Sequence, residues 1–237
     1  MKLHRFFVDD KDFPKKELPP EGAEFNLVDK GLLNQWRNVL RMEACDKAVL
    51  FDGKGDEALC EFVSLSKSLA TLKVLEKKHI PSSLREVTLY LALIKKDNFE
   101  MVLEKATELG ASRIVPVQAD RSEKKGVNYE RAQKIVREAS EQSGRTTVPE
   151  ILEIIKTEDI PHKNFIVFDP RGETSAREYF TKHTVSPVSL FIGPEGGFTD
   201  EEIAFLHSHK IPIVTTGPQI LRAETAAIVA LTLALVK

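Results

Sequence analysis

The hydrophobic pattern changes period about a third of the way along the chain. Up to Glu76 the apolar residues come in short runs bounded by turn residues, which predicts strands at His4 to Val8, Glu24 to Val28, Lys47 to Asp52, Ala58 to Leu65 and Leu69 to Leu75. Asp52-Gly53 and Ser66-Lys67-Ser68 read as turns, and Asp12 to Gly22, with Pro14, Pro19 and Pro20, as a loop. Leu32 to Met42 has helical period, with Leu32, Leu33, Trp36, Val39 and Leu40 on one face. Short strands at this spacing predict a small barrel over residues 1–76. Residues 77–84, with Pro81 and two serines, read as a linker.

From residue 85 to 237 strands alternate with helices, the signature of an α/β sheet. Strands are expected at Val87 to Ile94, Arg113 to Val117, Phe165 to Phe168, Val188 to Ile192 and Ile213-Val214. Pro116 predicts that its strand is an edge or is near its end. Helices are expected at Asn98 to Leu109, Asn128 to Ser143, Ser175 to Phe180 and Thr225 to Val236. Asp97 with Glu100 reads as a capping box, and Gly110 as the stop of that helix. The last helix is apolar nearly all round, so it belongs in a core or against another subunit.

Two loops stand out against this pattern. Gly193-Pro194-Glu195-Gly196-Gly197-Phe198 follows a strand, and Thr199 with Glu202 caps the helix after it. The glycines let a ligand approach the main chain. Thr216-Gly217-Pro218-Gln219-Ile220-Leu221-Arg222 follows the next strand in the same way, and Arg222 and Glu224 are the only charges before Lys237. Glycine-rich loops at the carboxyl ends of parallel strands are where open α/β sheets bind ligands. Neither loop is a dinucleotide fingerprint or a phosphate loop. A Pro-Glu between glycines, without Lys or Arg, suits a neutral or cationic ligand better than a polyphosphate.

Composition narrows the class. The 237 residues are 42% hydrophobic and 30% charged, with a net charge of −2, so any surface for a polyanion must be local. From Arg113 to Arg145 eight basic residues face five acidic ones, which is either a solvated face or a phosphate-contacting strip. Cys45 and Cys60 lack metal spacing and read as reduced thiols of a cytosolic protein. No signal peptide and no membrane-spanning run is expected, and no metal. His207 and His209 read as surface residues on different faces of one helix, and His79, His162 and His183 as loop residues without partners.

The two loops, read as Ile192 to Phe198 and Ile220 to Ala226, resemble the signature loops of the RsmE-type 16S ribosomal RNA uridine-N3 methyltransferases of the SPOUT superfamily. The resemblance extends to Lys105-Ala106-Thr107-Glu108-Leu109-Gly110, Arg121-Ser122, Glu141-Gln142-Ser143-Gly144-Arg145, Val148-Pro149 and His4-Arg5-Phe6-Phe7-Val8, so it covers both halves in order. Two positions depart from it: Thr216 stands where a Leu is common, and Gln219 where a basic residue is common.

The resemblance implies a PUA-like β-barrel for RNA over 1–76, and over 85–237 a SPOUT α/β methyltransferase domain whose C-terminal segments form a trefoil knot. It implies S-adenosyl-L-methionine as cofactor, held by Phe168, Asp169, Ile192, Gly193, Pro194, Glu195, Gly196, Gly197, Thr216, Gly217, Ile220, Leu221 and Arg222. Arg5, Arg121, Lys124, Lys125 and Arg145 become candidate RNA contacts. The substrate it implies is the uridine at position 1498 of 16S rRNA on the small ribosomal subunit, and the assembly a cytoplasmic homodimer without membrane or DNA partners.

Uracil N3 carries an imide proton that must leave for N3 to accept a methyl group, so the site needs positioning, a proton acceptor and a cation for the developing anion. Arg222 is the candidate cation, or else a structural partner of Glu224. Glu224 and Glu195 are candidate acceptors; Glu195 reads alternatively as holding its own loop, and water as taking the proton directly. The competing functions are a SPOUT 2′-O-ribose methyltransferase and a non-catalytic RNA-binding assembly factor.

Overall fold

The computed structural model describes residues 3–13, 16–81, 85–123, 125–183 and 186–235, with only the backbone at residue 10. The chain forms two units, Met1–Ser82 with Ser140–Val148, and Ser83–Ala139 with Pro149–Lys237.

The first unit holds strands β1 (His4–Phe7), β2 (Glu24–Leu27), β3 (Lys47–Phe51), β4 (Asp56–Leu65) and β5 (Ala70–His79), in the order β1-β3-β4-β5-β2. Its turns carry the expected chemistry. The Asp52 carboxylate accepts from Lys54 N at 2.7 Å and Asp56 N at 3.1 Å, and Ser66 N donates to Leu69 O at 2.8 Å. Trp36 is fully buried at the centre of this core, edge-on to Phe6 and Phe62 with ring centroids at 5.5 and 5.0 Å. β5 runs to His79, through the start of the expected linker, because it stays paired with β4 up to Asp56.

The helix expected at Leu32 to Met42 is instead a short α-helix, α1 (Lys30–Asn34), continued by a π-turn over Gln35–Val39. Leu40 N donates to Gln35 O, a five-residue step that adds a residue to the turn. That extra residue rotates Val39 out to 67% exposure and brings Met42 into the core.

Residues 140–148, read from sequence as part of the second domain, pack in the first unit. Gly55 N donates to Thr146 O at 3.2 Å, Val148 N to Gly53 O at 3.0 Å, and Phe7 N to Glu141 Oε1 at 2.9 Å. These bonds join segments far apart in the chain, so no local period reports them.

The second unit is an eight-stranded parallel sheet with helices. In chain order come β6 (Val87–Ala92), α2 (Lys96–Leu109), β7 (Arg113–Gln118), α3 (Tyr129–Ser143, which from Ser140 on belongs to the first unit), β8 (Glu150–Ile151), β9 (Ile155–Lys156), β10 (Phe165–Phe168), β11 (Thr174–Ser175), α4 (Ala176–Lys182), β12 (Val188–Ile192), α5 (Asp200–Ser208), β13 (Ile213–Thr215) and α6 (Ala223–Leu235). The strand order is β11-β13-β10-β12-β6-β7-β8, with β9 also on β7. Every residue of β6 and β10 is buried, as covered parallel strands require.

Three local expectations change here. Pro116 does not mark an outer edge, though it does lie near the end of its strand, which stops at Gln118. β7 pairs with β6 on one side and with β8 and β9 on the other, and Pro116 falls in the gap between those two short strands, where no ladder needs its missing N–H. α2 begins at Lys96 without a side-chain cap, so Asp97 lies inside its first turn. Gly110 does end α2, at φ 108. α6 starts at Ala223. Its Ala227, Ala230, Leu231 and Ala234 are buried, while Ile228, Val229 and Leu233 are half-buried.

Candidate active site

The carboxyl ends of β10, β12, β13 and β6 open onto one cavity of about 570 Å³, lined by the loops that follow those strands. Eleven of the thirteen residues expected to hold the cofactor line it: Phe168, Asp169, Ile192, Gly193, Pro194, Glu195, Gly197, Thr216, Ile220, Leu221 and Arg222. Gly196 and Gly217 belong to the same loops but not to the wall. Lys95, Asn98, Pro170, Phe198, Thr215, Gln219, Ala223 and Ala226 also line it and were not among the residues expected to hold the cofactor. Lys95 and Asn98 reach it only because β6 lies beside β12, a neighbour relation that sequence separation hides.

The glycine loop is held from several directions. An added Cβ on Gly193 would lie 2.9 Å from the Phe198 ring, so only glycine lets that ring close the loop from behind. Gly197 has φ 68 and donates its N–H to Pro194 O at 2.8 Å. The cap expected at Thr199 is present, with Glu202 N on Thr199 Oγ1 and Thr199 N on Glu202 Oε2. Glu202 does more than the local motif suggests. It is 6% exposed, and its Oε1 also accepts from Thr157 Oγ1 at 2.8 Å and Asp120 N at 3.2 Å.

Two arginines grip the loop's carbonyls. Arg121 Nη1 donates to Gly196 O at 2.9 Å and Phe198 O at 3.5 Å. Arg171 Nη2 donates to Phe198 O at 3.1 Å, while its Nε and Nη2 form a two-point pair with the buried Asp169 carboxylate at 2.8 and 3.0 Å. That bond to Asp169 is the main cause of a raised Arg171 pKa. Asp169, in the cavity wall, is thus neutralised from within the protein. Arg121, expected to contact RNA, acts as a loop clamp. Arg121→Ala is expected to weaken binding of the cofactor that the resemblance implies about tenfold, the loss of one charge-assisted hydrogen bond. Isothermal calorimetry checks this, and an unchanged Kd would remove the clamp role.

Glu195 is exposed, and its Oε1 accepts from Lys95 N at 2.9 Å. It therefore ties the glycine loop to the neighbouring loop after β6 rather than bonding its own backbone. In the second loop Thr215 Oγ1 both accepts from Gly217 N and donates to Gly217 O. Ile220 is 83% exposed at the cavity wall. The structural pairing considered for Arg222 does not form: Arg222 is exposed and makes no ion pair or side-chain hydrogen bond among the described residues. Glu224 is 8% exposed, is not part of the wall, and accepts instead from Asn98 Nδ2 at 3.3 Å.

The other RNA candidates are spread apart. Arg5 is 19% exposed. Its Nη2 lies 2.8 Å from Glu57 Oε2 and its guanidinium sits 5.5 Å from the Phe51 ring centroid. Arg145 Nη2 donates to Thr147 Oγ1 at 3.1 Å, and burial lowers its pKa to about 10. Both guanidinium groups are engaged within the first unit. Lys125 is exposed, and Lys124 lies outside the described residues. The histidines have more partners than expected. His79 Nδ1 is 2.6 Å from Asp56 Oδ1, His183 stacks on Tyr179 at 4.4 Å, and His162 lies 4.2 Å from His209, so these two share a face of the surface. Among the described residues no cluster of three or more His, Cys, Asp or Glu could hold a metal, and no helix is long and apolar enough to cross a membrane.

The cavity suits a neutral or cationic ligand with an apolar part. Phe168, Ile192, Leu221, Ala223 and Ala226 supply apolar wall. The main-chain N–H groups of Gln219, Ile220 and Leu221 donate to no protein group among the described residues, so a ligand can take them.

Comparisons with known proteins agree with this geometry. Residues 81–235 match the model of an RNA methyltransferase domain, and residues 37–75 that of an RNA methyltransferase PUA domain. The chain is 31% identical to the ribosomal RNA small subunit methyltransferase E of Rickettsia conorii, over 98% of this chain and 94% of that one. It is 34% identical to the protein of the same name from Bacillus subtilis, over 82% and 83%. Among solved structures, the ribosomal RNA small subunit methyltransferase E of Neisseria gonorrhoeae bound to S-adenosyl methionine superposes with a TM-score of 0.85 at 28% identity, covering 98% of this chain and 96% of that one.

Proposed function

The chain belongs to the ribosomal RNA small subunit methyltransferase E family, and from that premise we propose that it methylates N3 of the uridine at position 1498 of 16S rRNA on the small ribosomal subunit. The observation that carries this reading is the cavity at the carboxyl ends of four parallel strands, with apolar walls and with main-chain donors and an arginine that have no partner among the described residues. When bound, S-adenosyl-L-methionine supplies an electrophilic methyl group on a sulfonium centre. Phe168, Ile192, Ile220 and Leu221 would cover its apolar parts, and Gly193 to Gly197 would let it approach the main chain. No phosphate has to be bound there, which fits a loop without Lys or Arg.

Arg222 is the group for the charge that develops on the uracil ring. Glu224 and Glu195 serve as positioning groups, since each already accepts an N–H from the loop or helix start after β6. The first unit, PUA-like, contributes RNA contacts, and Lys125 adds an exposed cation from the loop after β7. The segments after β12 thread as the trefoil knot of this fold.

The protein acts as a cytoplasmic homodimer. Ile228, Val229 and Leu233 on α6 offer the half-buried apolar face that a second copy would cover. Sedimentation equilibrium at micromolar concentration tests this, with a monomer as the contrary result. The function itself is tested by nucleoside analysis of 16S rRNA from cells lacking the gene. Loss of 3-methyluridine, restored by a plasmid copy, is the expected result. Its persistence in the deleted strain would sink the reading.

A further inference from the structure

The cavity holds a second free cation, and it stands opposite the first in the sheet order. Lys95 is the residue before α2, in the loop after β6, whereas Arg222 lies in the loop after β13. β10 and β12 lie between those two strands. The Lys95 main chain is fixed, because its N–H donates to Glu195 Oε1 at 2.9 Å. Lys95 lines the cavity, and its side chain makes no ion pair or hydrogen bond among the described residues. The next lysine differs in both respects: Lys96 does not line the cavity, and its Nζ lies 3.8 Å from Glu100. The carboxylates around the cavity already have partners. Asp169 is paired with Arg171, Glu224 accepts from Asn98, and Glu195 accepts from the Lys95 N–H itself.

Resting on the uridine-N3 reading above, we propose that Lys95 and Arg222 bind the two carbonyl oxygens of the target uracil and stabilise its N3 anion between them. The chemistry of the ring calls for two such groups. Loss of the N3 proton spreads negative charge over N3 and over O2 and O4, which flank it. Cations on the two flanks stabilise that charge and leave the N3 edge open toward the methyl donor. The N3–H bond breaks with its electrons left on nitrogen, and the proton passes to a solvent hydroxide, giving water. The N3 pair then forms the new N–CH3 bond as the C–S bond breaks with its electrons kept on sulfur. Anion and sulfonium become a neutral 3-methyluracil and a neutral thioether. No carboxylate has to act as base. A cytosine is rejected on the same ground, because its amino group would face a cation.

The test is single-turnover methyl transfer to small subunits lacking the modification, across a pH series, for wild type, Lys95→Ala, Lys95→Arg and Lys96→Ala. Cofactor affinity is measured alongside by calorimetry. A parallel set uses subunits reconstituted on 16S rRNA transcribed with 5-fluorouridine, whose N3 is more acidic. Lys95→Ala is expected to lower the rate about 100-fold with cofactor affinity unchanged, while Lys95→Arg keeps most activity and Lys96→Ala all of it. The fluorinated substrate should rescue Lys95→Ala far more than it speeds wild type. The proposal is overturned if Lys95→Ala keeps wild-type rates, if it loses cofactor binding, or if 5-fluorouridine gives no selective rescue. A wild-type product methylated anywhere but uridine N3 would instead overturn the functional reading on which it rests.

Discussion

Arg222→Ala is expected to bind S-adenosylmethionine about as tightly as the wild type and to lose between about 100-fold and 1,000-fold in methyl-transfer rate. Arg222 lines the cavity, lies just before α6, and makes no ion pair among the described residues. Its removal therefore breaks no ion pair and leaves the fold intact. What it removes is a cation that meets charge only as the N3 proton leaves, and a preorganised group of this kind is worth about 2.7–4 kcal/mol of transition-state stabilisation. Single-turnover kinetics with calorimetry on the same sample separates the two effects. A variant with full activity would leave Arg222 without a part in the reaction. A variant that lost cofactor binding would make it a loop residue.

Gly172→Ala is expected to cost about 1–3 kcal/mol of stability and to weaken cofactor binding at least about tenfold. The turn after β10 packs directly on β13. A Cβ at residue 172 would lie 2.5 Å from Val214 C and 2.7 Å from Thr215 N, both main-chain atoms that cannot step aside. Asp169 N donates to Val214 O at 3.0 Å, so a methyl group there pushes apart two segments that are also bonded to each other. Thr215 and Thr216, displaced with β13, are cavity wall. Gly126→Ala provides the control, since nothing lies within 4 Å of its added Cβ. Thermal unfolding and cofactor titration of the two variants check this. Equal behaviour of the pair would show that the close approach at Gly172 has no consequence.

The parts of the site that were legible in sequence are those encoded by local chemistry. Val188–Ile192 is a continuous apolar run, and Thr199 with Glu202 is a reciprocal cap, so that strand and the helix after the glycine loop could be placed from their own residues. The two loops, read as a pair, carried the family resemblance. What sequence missed depends on neighbours across the sheet. Lys95 and Asn98 become cavity wall because β6 pairs with β12. Arg121 looked like part of a basic strip, yet its guanidinium reaches a carbonyl 75 residues away in the chain. Nothing in the local sequence marks Gly172, and only the main chain of β13 shows why a side chain is barred there. β8 and β9 are two residues each and carry no period at all. The π-turn at Gln35–Val39 keeps helical composition while shifting the phase, so Val39 faces solvent although its spacing predicts the inner face.

The central claim is that this cavity carries methyl transfer to a uracil nitrogen of small-subunit rRNA. The most direct test is transfer of labelled methyl from S-adenosylmethionine to small ribosomal subunits lacking the modification, with naked rRNA and tRNA alongside, followed by mapping of the labelled nucleotide. The expected result is label at N3 of the uridine at position 1498 in the subunit's 16S rRNA. Label on a ribose or on tRNA would contradict it, as would cofactor binding without label on any of the three substrates.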